Sequence, residues 1–309
     1  MTRPSSVQIR EVGPRDGFQN EPEIIPTDEK IRLINSLGRA GFKRIEVASF
    51  VRPDVIPQLF DGVEVLKGID VPGDVSLMVL VPNSRGLDNA LKVREYFHEA
   101  SIFVSASETH NLKNINRQVA QTMADDRVMA GRILAEGLKL DAVIATSFGC
   151  PYEGRIELSR VLDLAEQFAE MGATEIGFGD TTGMANPAYV SDFFTAALER
   201  LKGVELTAHF HNTRGQGLAN AYAALEVGVH SFESSFGELG GCPVPAGSTG
   251  NIATEDLVSM FEEMGVDTGL DLVRVIESAR EAQSFLGRKL TSHSILAGPV
   301  DWTGTLVSH

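Results

Sequence analysis

Glu205-Leu206-Thr207-Ala208-His209-Phe210-His211-Asn212 reads as a buried β-strand whose polar side chains gather at its C-terminal end. Successive strand side chains point to opposite faces, so His209 and His211 share one face. The pattern repeats outward in both directions. Upstream lie an amphipathic segment over 187–201 and an apolar run over 175–178; downstream lie a helical segment over 218–227 and a run over 231–236. Five more strands are expected over 7–12, 44–48, 75–81, 101–106 and 142–146. Helices follow them over 28–40, 61–67, 84–96, 118–139 and 159–171, and another follows the last strand over 254–264. Strict alternation of eight strand–helix units predicts an α/β fold of the (β/α)8 TIM-barrel type. An open doubly wound sheet is disfavoured, because no Gly-x-Gly-x-x-Gly follows the first strand. Gly41, Gly172, Gly228 and Gly265 stand where helices must end ahead of the next element. A last helix over 271–286 falls outside the eightfold pattern. The chain is therefore read as one barrel domain over 1–309, with 266–309 as a C-terminal helical extension carrying one extra helix.

Composition narrows the functional classes. With 42 acidic residues against 27 basic ones the net charge is −15, which argues against nucleic acid as a partner. No apolar stretch is long enough to span a bilayer, so no membrane partner is expected. Two cysteines, Cys150 and Cys242, build no disulfide framework, and the N-terminus carries no signal-like apolar run; both point to a cytoplasmic protein. Assembly into a homo-oligomer stays open at this level.

Barrel enzymes place their reacting groups at the C-terminal ends of strands. The polar residues of this chain concentrate there. The first strand runs into Gly13-Pro14-Arg15-Asp16-Gly17, the second carries Glu46, and the sixth ends at Asp180-Thr181. The seventh ends in His209 and His211, and the eighth is followed by Gly240-Gly241-Cys242-Pro243 through Gly250-Asn251. Each has a plain alternative: Asp16 as a turn residue, Glu46 in an ion pair with Arg15 or Arg44, Asp180 as a turn initiator. Collected at one end of one barrel, they make a site, because unpaired buried charges cost several kcal/mol each. Asp16, His209 and His211, with Asn251 as an amide oxygen, form a mixed nitrogen–oxygen set suited to Mg or Mn, with Zn, Co or Fe(II) as alternatives. Cys242, in a glycine- and proline-rich loop, reads as a nucleophile or general acid rather than a core residue. Cys150 reads as structural.

These segments resemble the 3-hydroxy-3-methylglutaryl-CoA lyase family of the DRE-TIM metallolyases. The likeness runs through Glu11 to Glu21, Lys113-Asn114-Ile115-Asn116, Gly149 to Gly154, Gly179-Asp180-Thr181, His209-Phe210-His211, and Gly240 through Leu257. It implies a divalent metal, Mg or Mn, on Asp16, His209, His211 and Asn251. It also implies an acyl-CoA substrate, cleaved to acetyl-CoA and a keto acid. On that reading Asp16 or His209 takes the substrate hydroxyl proton, Arg15 steadies the thioester enolate, and Cys242 protonates its carbon. Glu46 and Asp180 then orient Arg15 and the substrate.

Some positions depart from the family pattern. Asn212 and Arg214 stand where Asp and Tyr are usual, Arg52 replaces a small residue, and Pro22 replaces a Lys. Arg52, Asn212 and Arg214 are therefore the candidates for substrate specificity, with a citramalyl-CoA as the alternative substrate. The plain reading puts the two arginines on the outer rim. Arg288 and Lys289 are candidate contacts for CoA phosphates. A synthase of the same superfamily, or a barrel that only binds acyl-CoA, are the competing classes.

Overall fold

Parallel strands cannot be joined by tight turns, so each apolar run here is followed by a helix that carries the chain back. The computed structural model describes residues 3–241 and 250–303. Its strands are β1 (Gln8–Glu11), β2 (Arg44–Ser49), β3 (Ser76–Leu80), β4 (Glu99–Ser105), β5 (Lys139–Ala145), β6 (Glu175–Asp180), β7 (Glu205–Phe210) and β8 (Ser231–Ser234). They pair in chain order, and β8 returns to β1 to close the barrel. The helices are α1 (Thr27–Arg39), α2 (Gly62–Gly68), α3 (Ser84–Ala90), α4 (Glu108–Ile115), α5 (Val119–Ala135), α6 (Leu158–Glu170), α7 (Pro187–Arg200), α8 (Gly217–Glu226), α9 (Thr254–Glu263), α10 (Leu272–Leu286) and α11 (His293–Ala297). The TIM-barrel architecture read from the sequence is the observed one.

The outer strand faces and inner helix faces form the apolar core. Ile45, Ile102, Ile144, Ile176, Phe210 and Phe232 are fully buried against helix residues such as Leu33, Ile133, Phe168, Phe194 and Phe261. Burial of each such side chain contributes about 1.5–3 kcal/mol. Helix α10 bridges the first and last helices of the ring, joining α1 through Ser36 and Ser278, whose hydroxyls lie 2.9 Å apart, and packing on α9.

The inner face differs. Arg10, Arg44, Glu99, Asp141, Glu175 and Glu233 form a buried ionic floor in the lower half of the barrel. Buried ion pairs roughly break even against apolar packing, yet removing one partner costs about 3–5 kcal/mol. The floor is therefore a device of arrangement more than of stability.

Three expectations need correction. The segment over 118–139 is not one helix: α5 stops at Ala135, Gly137 takes φ 69°, and Lys139 already begins β5. Helix α4 precedes it unforeseen, started by the Ser107 side chain accepting from the His110 amide. The segment over 84–96 divides into α3 and a 3₁₀ stretch, Leu91–Tyr96, with Val93 outside helical geometry.

Candidate active site at the barrel mouth

After β1 the chain wraps tightly around one carbonyl. Val12 O accepts from the amides of Arg15 (3.1 Å), Asp16 (2.7 Å) and Gly17 (3.3 Å), and this single wide turn turns Arg15 and Asp16 over the mouth. Gly13 is required there, since an added Cβ would lie 2.3 Å from the Phe236 ring.

Asp16, His209 and His211 converge, each offering a ligand atom within 4.8 Å of the others'. The two imidazoles from the end of β7 lie with centroids 5.2 Å apart. His211 also pairs as an isolated bridge with Asn251, which brings the loop after β8 to the same place. The Asn251 side chain donates from Nδ2 to Asp16 Oδ2 at 2.7 Å. Its Oδ1 is buried without a hydrogen-bond partner among the described residues. An orphaned amide oxygen beside one carboxylate and two imidazoles is the donor set a hard or borderline divalent ion takes. The residues present fit the group.

The surrounding electrostatics follow from burial and charge. Burial pushes the Asp16 carboxyl up, but Arg15 and the two histidines more than offset it and hold it below the usual range. Burial lowers His209, and Glu233 more than offsets that, so its pKa is raised. Glu233 is pushed down to about 2, burial being outweighed by Arg10 and His209. Arg15 forms an ion pair with Glu46 at 2.6 Å and donates to Asp16 at 3.2 Å, so the charge of Glu46 holds the guanidinium. Burial, only partly offset by Arg15, pushes Glu46 up to about 7. Asp180 Oδ1 accepts from the amides of Met184 (2.7 Å) and Ala185 (3.0 Å), shaping the loop after β6. Burial pushes Asp180 up to about 7, those amides offsetting part of the rise.

Other sequence candidates lie elsewhere. Arg52 pairs with Asp54 on the rim, its side chain 65% exposed. Arg214 donates to the carbonyls of Thr182 (2.9 Å) and Gly183 (2.6 Å), bracing the loop after β6. Asn212 donates to Glu238 Oε1 at 2.6 Å and accepts from the Gly217 amide at 3.1 Å, fastening the loops after β7 and β8 together. Arg288 and Lys289 line an open cleft of about 390 Å³ with Arg280, Gln283 and Ser284, and Arg288 pairs with Glu21 at 2.5 Å. Cys242 lies outside the described residues. Cys150 is fully buried.

Two residues were given no role by the sequence reading: Glu233, whose Oε2 lies 2.8 Å from His209 Nδ1, and Glu11, which accepts from the Gly13 and Phe236 amides and the Thr254 hydroxyl. The available signal for Glu233 was its parity with Ser231 in an otherwise buried strand.

The model of the HMGL-like family matches residues 6–281. The chain belongs to the HMGL-like family. Among curated relatives, hydroxymethylglutaryl-CoA lyase YngG of Bacillus subtilis is 44% identical over 96% of this chain and 98% of its own length. The human mitochondrial hydroxymethylglutaryl-CoA lyase is 39% identical over 94% of this chain and 89% of its own. Two solved structures carry this family fold closely. The B. subtilis HMG-CoA lyase superposes with TM-score 0.93 at 43% identity, covering 96% of this chain and 99% of that one. An HMG-CoA lyase from Acinetobacter baumannii, in complex with coenzyme A and 3-methylmalate, superposes with TM-score 0.91 at 42% identity, covering 96% of each. The family resemblance read from the sequence stands.

Proposed function

We propose that this protein is a divalent-metal-dependent carbon–carbon lyase that cleaves 3-hydroxy-3-methylglutaryl-CoA to acetyl-CoA and acetoacetate. The observation that carries the reading is the convergence of Asp16, His209 and His211 beside the orphaned Asn251 oxygen. These four residues would hold Mg or Mn, and a bound ion supplies Lewis acidity that makes a nearby hydroxyl easier to deprotonate.

The chain's own groups supply the rest. Asp16 or His209 accepts the proton of the tertiary hydroxyl. Collapse to the ketone breaks the bond to the α-carbon of the thioester, and the electron pair passes into the thioester enolate. Arg15, fixed by Glu46, faces that anion with a guanidinium already oriented, so no reorganisation is needed as charge develops. Cys242, as a thiol, delivers a proton to the enolate carbon and completes acetyl-CoA. Asp180 orients the substrate from the end of β6. The cleft beside Arg288 and Lys289 receives the CoA phosphates.

Arg52 and Arg214 already have partners on the protein, so no observation favours a second substrate carboxylate. The test is incubation with 3-hydroxy-3-methylglutaryl-CoA and, separately, citramalyl-CoA, each with Mg, Mn or EDTA, following acetyl-CoA. Metal-dependent release from the first substrate supports the reading. No metal-dependent release from either would sink it.

A further inference from the structure

The ionic floor and the candidate metal centre are joined by one hydrogen-bonded chain. Glu233 on β8 divides its two carboxylate oxygens between different partners. Oε2 lies 2.8 Å from His209 Nδ1, and Oε1 accepts from Arg10 Nη1 at 2.6 Å. Arg10 is itself gripped from the far side of the barrel. Its Nη1 also reaches Asp141 Oδ1 on β5 at 3.1 Å, and its Nη2 reaches Glu175 Oε1 on β6 at 2.5 Å. Arg10 is 1% exposed and Glu233 5%, so bulk water does not compete for these contacts.

A carboxylate held at one oxygen turns easily about its last torsion, which is broad and shallow. Held at both, its plane is set. An imidazole donating Nδ1–H to such a carboxylate presents its Nε2 lone pair in a fixed direction. We propose that Arg10 is a positioning residue of the metal centre: by locking the carboxylate of Glu233 it fixes the tautomer and orientation of His209. The inference rests on the divalent-metal reading of Asp16, His209, His211 and Asn251. Arg10 touches no reacting atom and acts only through Glu233.

The same floor contains its own control. Arg44 is equally part of the layer, but its partners are Glu99, Glu175 and Gln8 rather than Glu233. It shares Glu175 with Arg10, each arginine taking one oxygen, so replacing it disturbs the floor one residue further from His209 and removes no bond of Glu233.

The experiment uses the full chain with Mn(II) alone as the probe, its affinity measured by calorimetry or electron paramagnetic resonance and folding checked by thermal melting. Arg10→Lys keeps the charge but loses the planar fork, and should weaken Mn(II) binding about tenfold or more. Arg44→Lys should leave Mn(II) affinity unchanged while lowering the melting temperature. In a Glu233→Gln background, Arg10→Lys should have no further effect on Mn(II), since the two residues act as one link. Should Arg10→Lys fail to fold, Glu233→Asp probes the link from its other side: the shorter carboxylate cannot span Arg10 and His209, and Mn(II) affinity should fall by a similar factor. Wild-type affinity in Arg10→Lys, equal losses in the Arg10 and Arg44 variants, or additive effects with Glu233→Gln would each overturn the proposal. Wild-type protein that binds no Mn(II) overturns the metal reading itself, and this inference with it.

Discussion

Asp126 in α5 is buried with one carboxylate oxygen lacking a hydrogen-bond partner among the described residues. Burial, helped by the neighbouring charge of Asp125, pushes its pKa up to about 8. An unfolded Asp titrates near ~4, so between about pH 4 and pH 8 the folded state holds a proton that the unfolded state has lost. The contribution to stability is therefore complete at low pH and disappears as pH rises towards 8. Asp126→Asn should remove this dependence: its melting temperature, relative to wild type, should rise from pH 5 to pH 8 by about 1.5–2 °C for each kcal/mol recovered. A difference that does not change with pH would show that Asp126 is not held protonated. Chemistry at single residues is open to the same treatment. Cys242→Ser should lower kcat by about 10²–10⁴-fold while leaving Mn(II) affinity intact, as expected of a lost proton donor. Loss of Mn(II) binding instead would give Cys242 a different role. At this scale the sequence was informative where local spacing carries the message. His209 and His211 share a face by strand parity, and Asp16 sits beside a glycine in a turn. The link between Glu233 and Arg10 was not legible, because β1 and β8 become neighbours only when the ring closes, with 223 residues separating one partner from the other.

Elements are where close backbone approach becomes a design constraint. Asn251 is presented by a neck between the segments around Glu238 and Gly250, where Asn251 N donates to Leu239 O at 3.3 Å and Asn212 N to Gly250 O at 3.0 Å. A Cβ on Gly250 would fall 1.9 Å from the Glu238 carbonyl oxygen and 2.7 Å from that of Gly240. Gly250→Ala should therefore cost about 1–3 kcal/mol through overpacking and also weaken Mn(II) binding, because Asn251 is displaced with its neighbour. Melting and Mn(II) titration of one preparation check both halves. Strand β2 shows why element boundaries were only partly legible. Its register slips between Glu46 and Ala48, so Glu46 and Ser49 pair at the levels of Met78 and Leu80 while Ala48 meets Val79. An alternation rule cannot foresee such a bulge, which arises from pairing with another strand. The apolar runs marked where strands would be, but α4 depended on the Ser107 cap, a short-range contact with no apolar periodicity.

Across the whole molecule, ligand binding and stability are coupled. Mn(II) at about a hundred times its Kd should add about 2.7 kcal/mol to folding and raise the melting temperature by roughly 5 °C, and EDTA should return it to the starting value. An unchanged melting temperature under conditions where Mn(II) supports turnover would place the ion outside this linkage. The candidate metal-ligand set also spans the chain's full topology. Asp16 follows the first strand, and the Asn251 side chain that meets it is 235 residues further on, in the loop after the strand that closes the ring. A chain still on the ribosome therefore has no complete set of ligands until β8 and the segment beyond it have emerged. Ion capture by these four residues would therefore wait for the strand that closes the ring, and a bound ion would mark a molecule whose ring has closed.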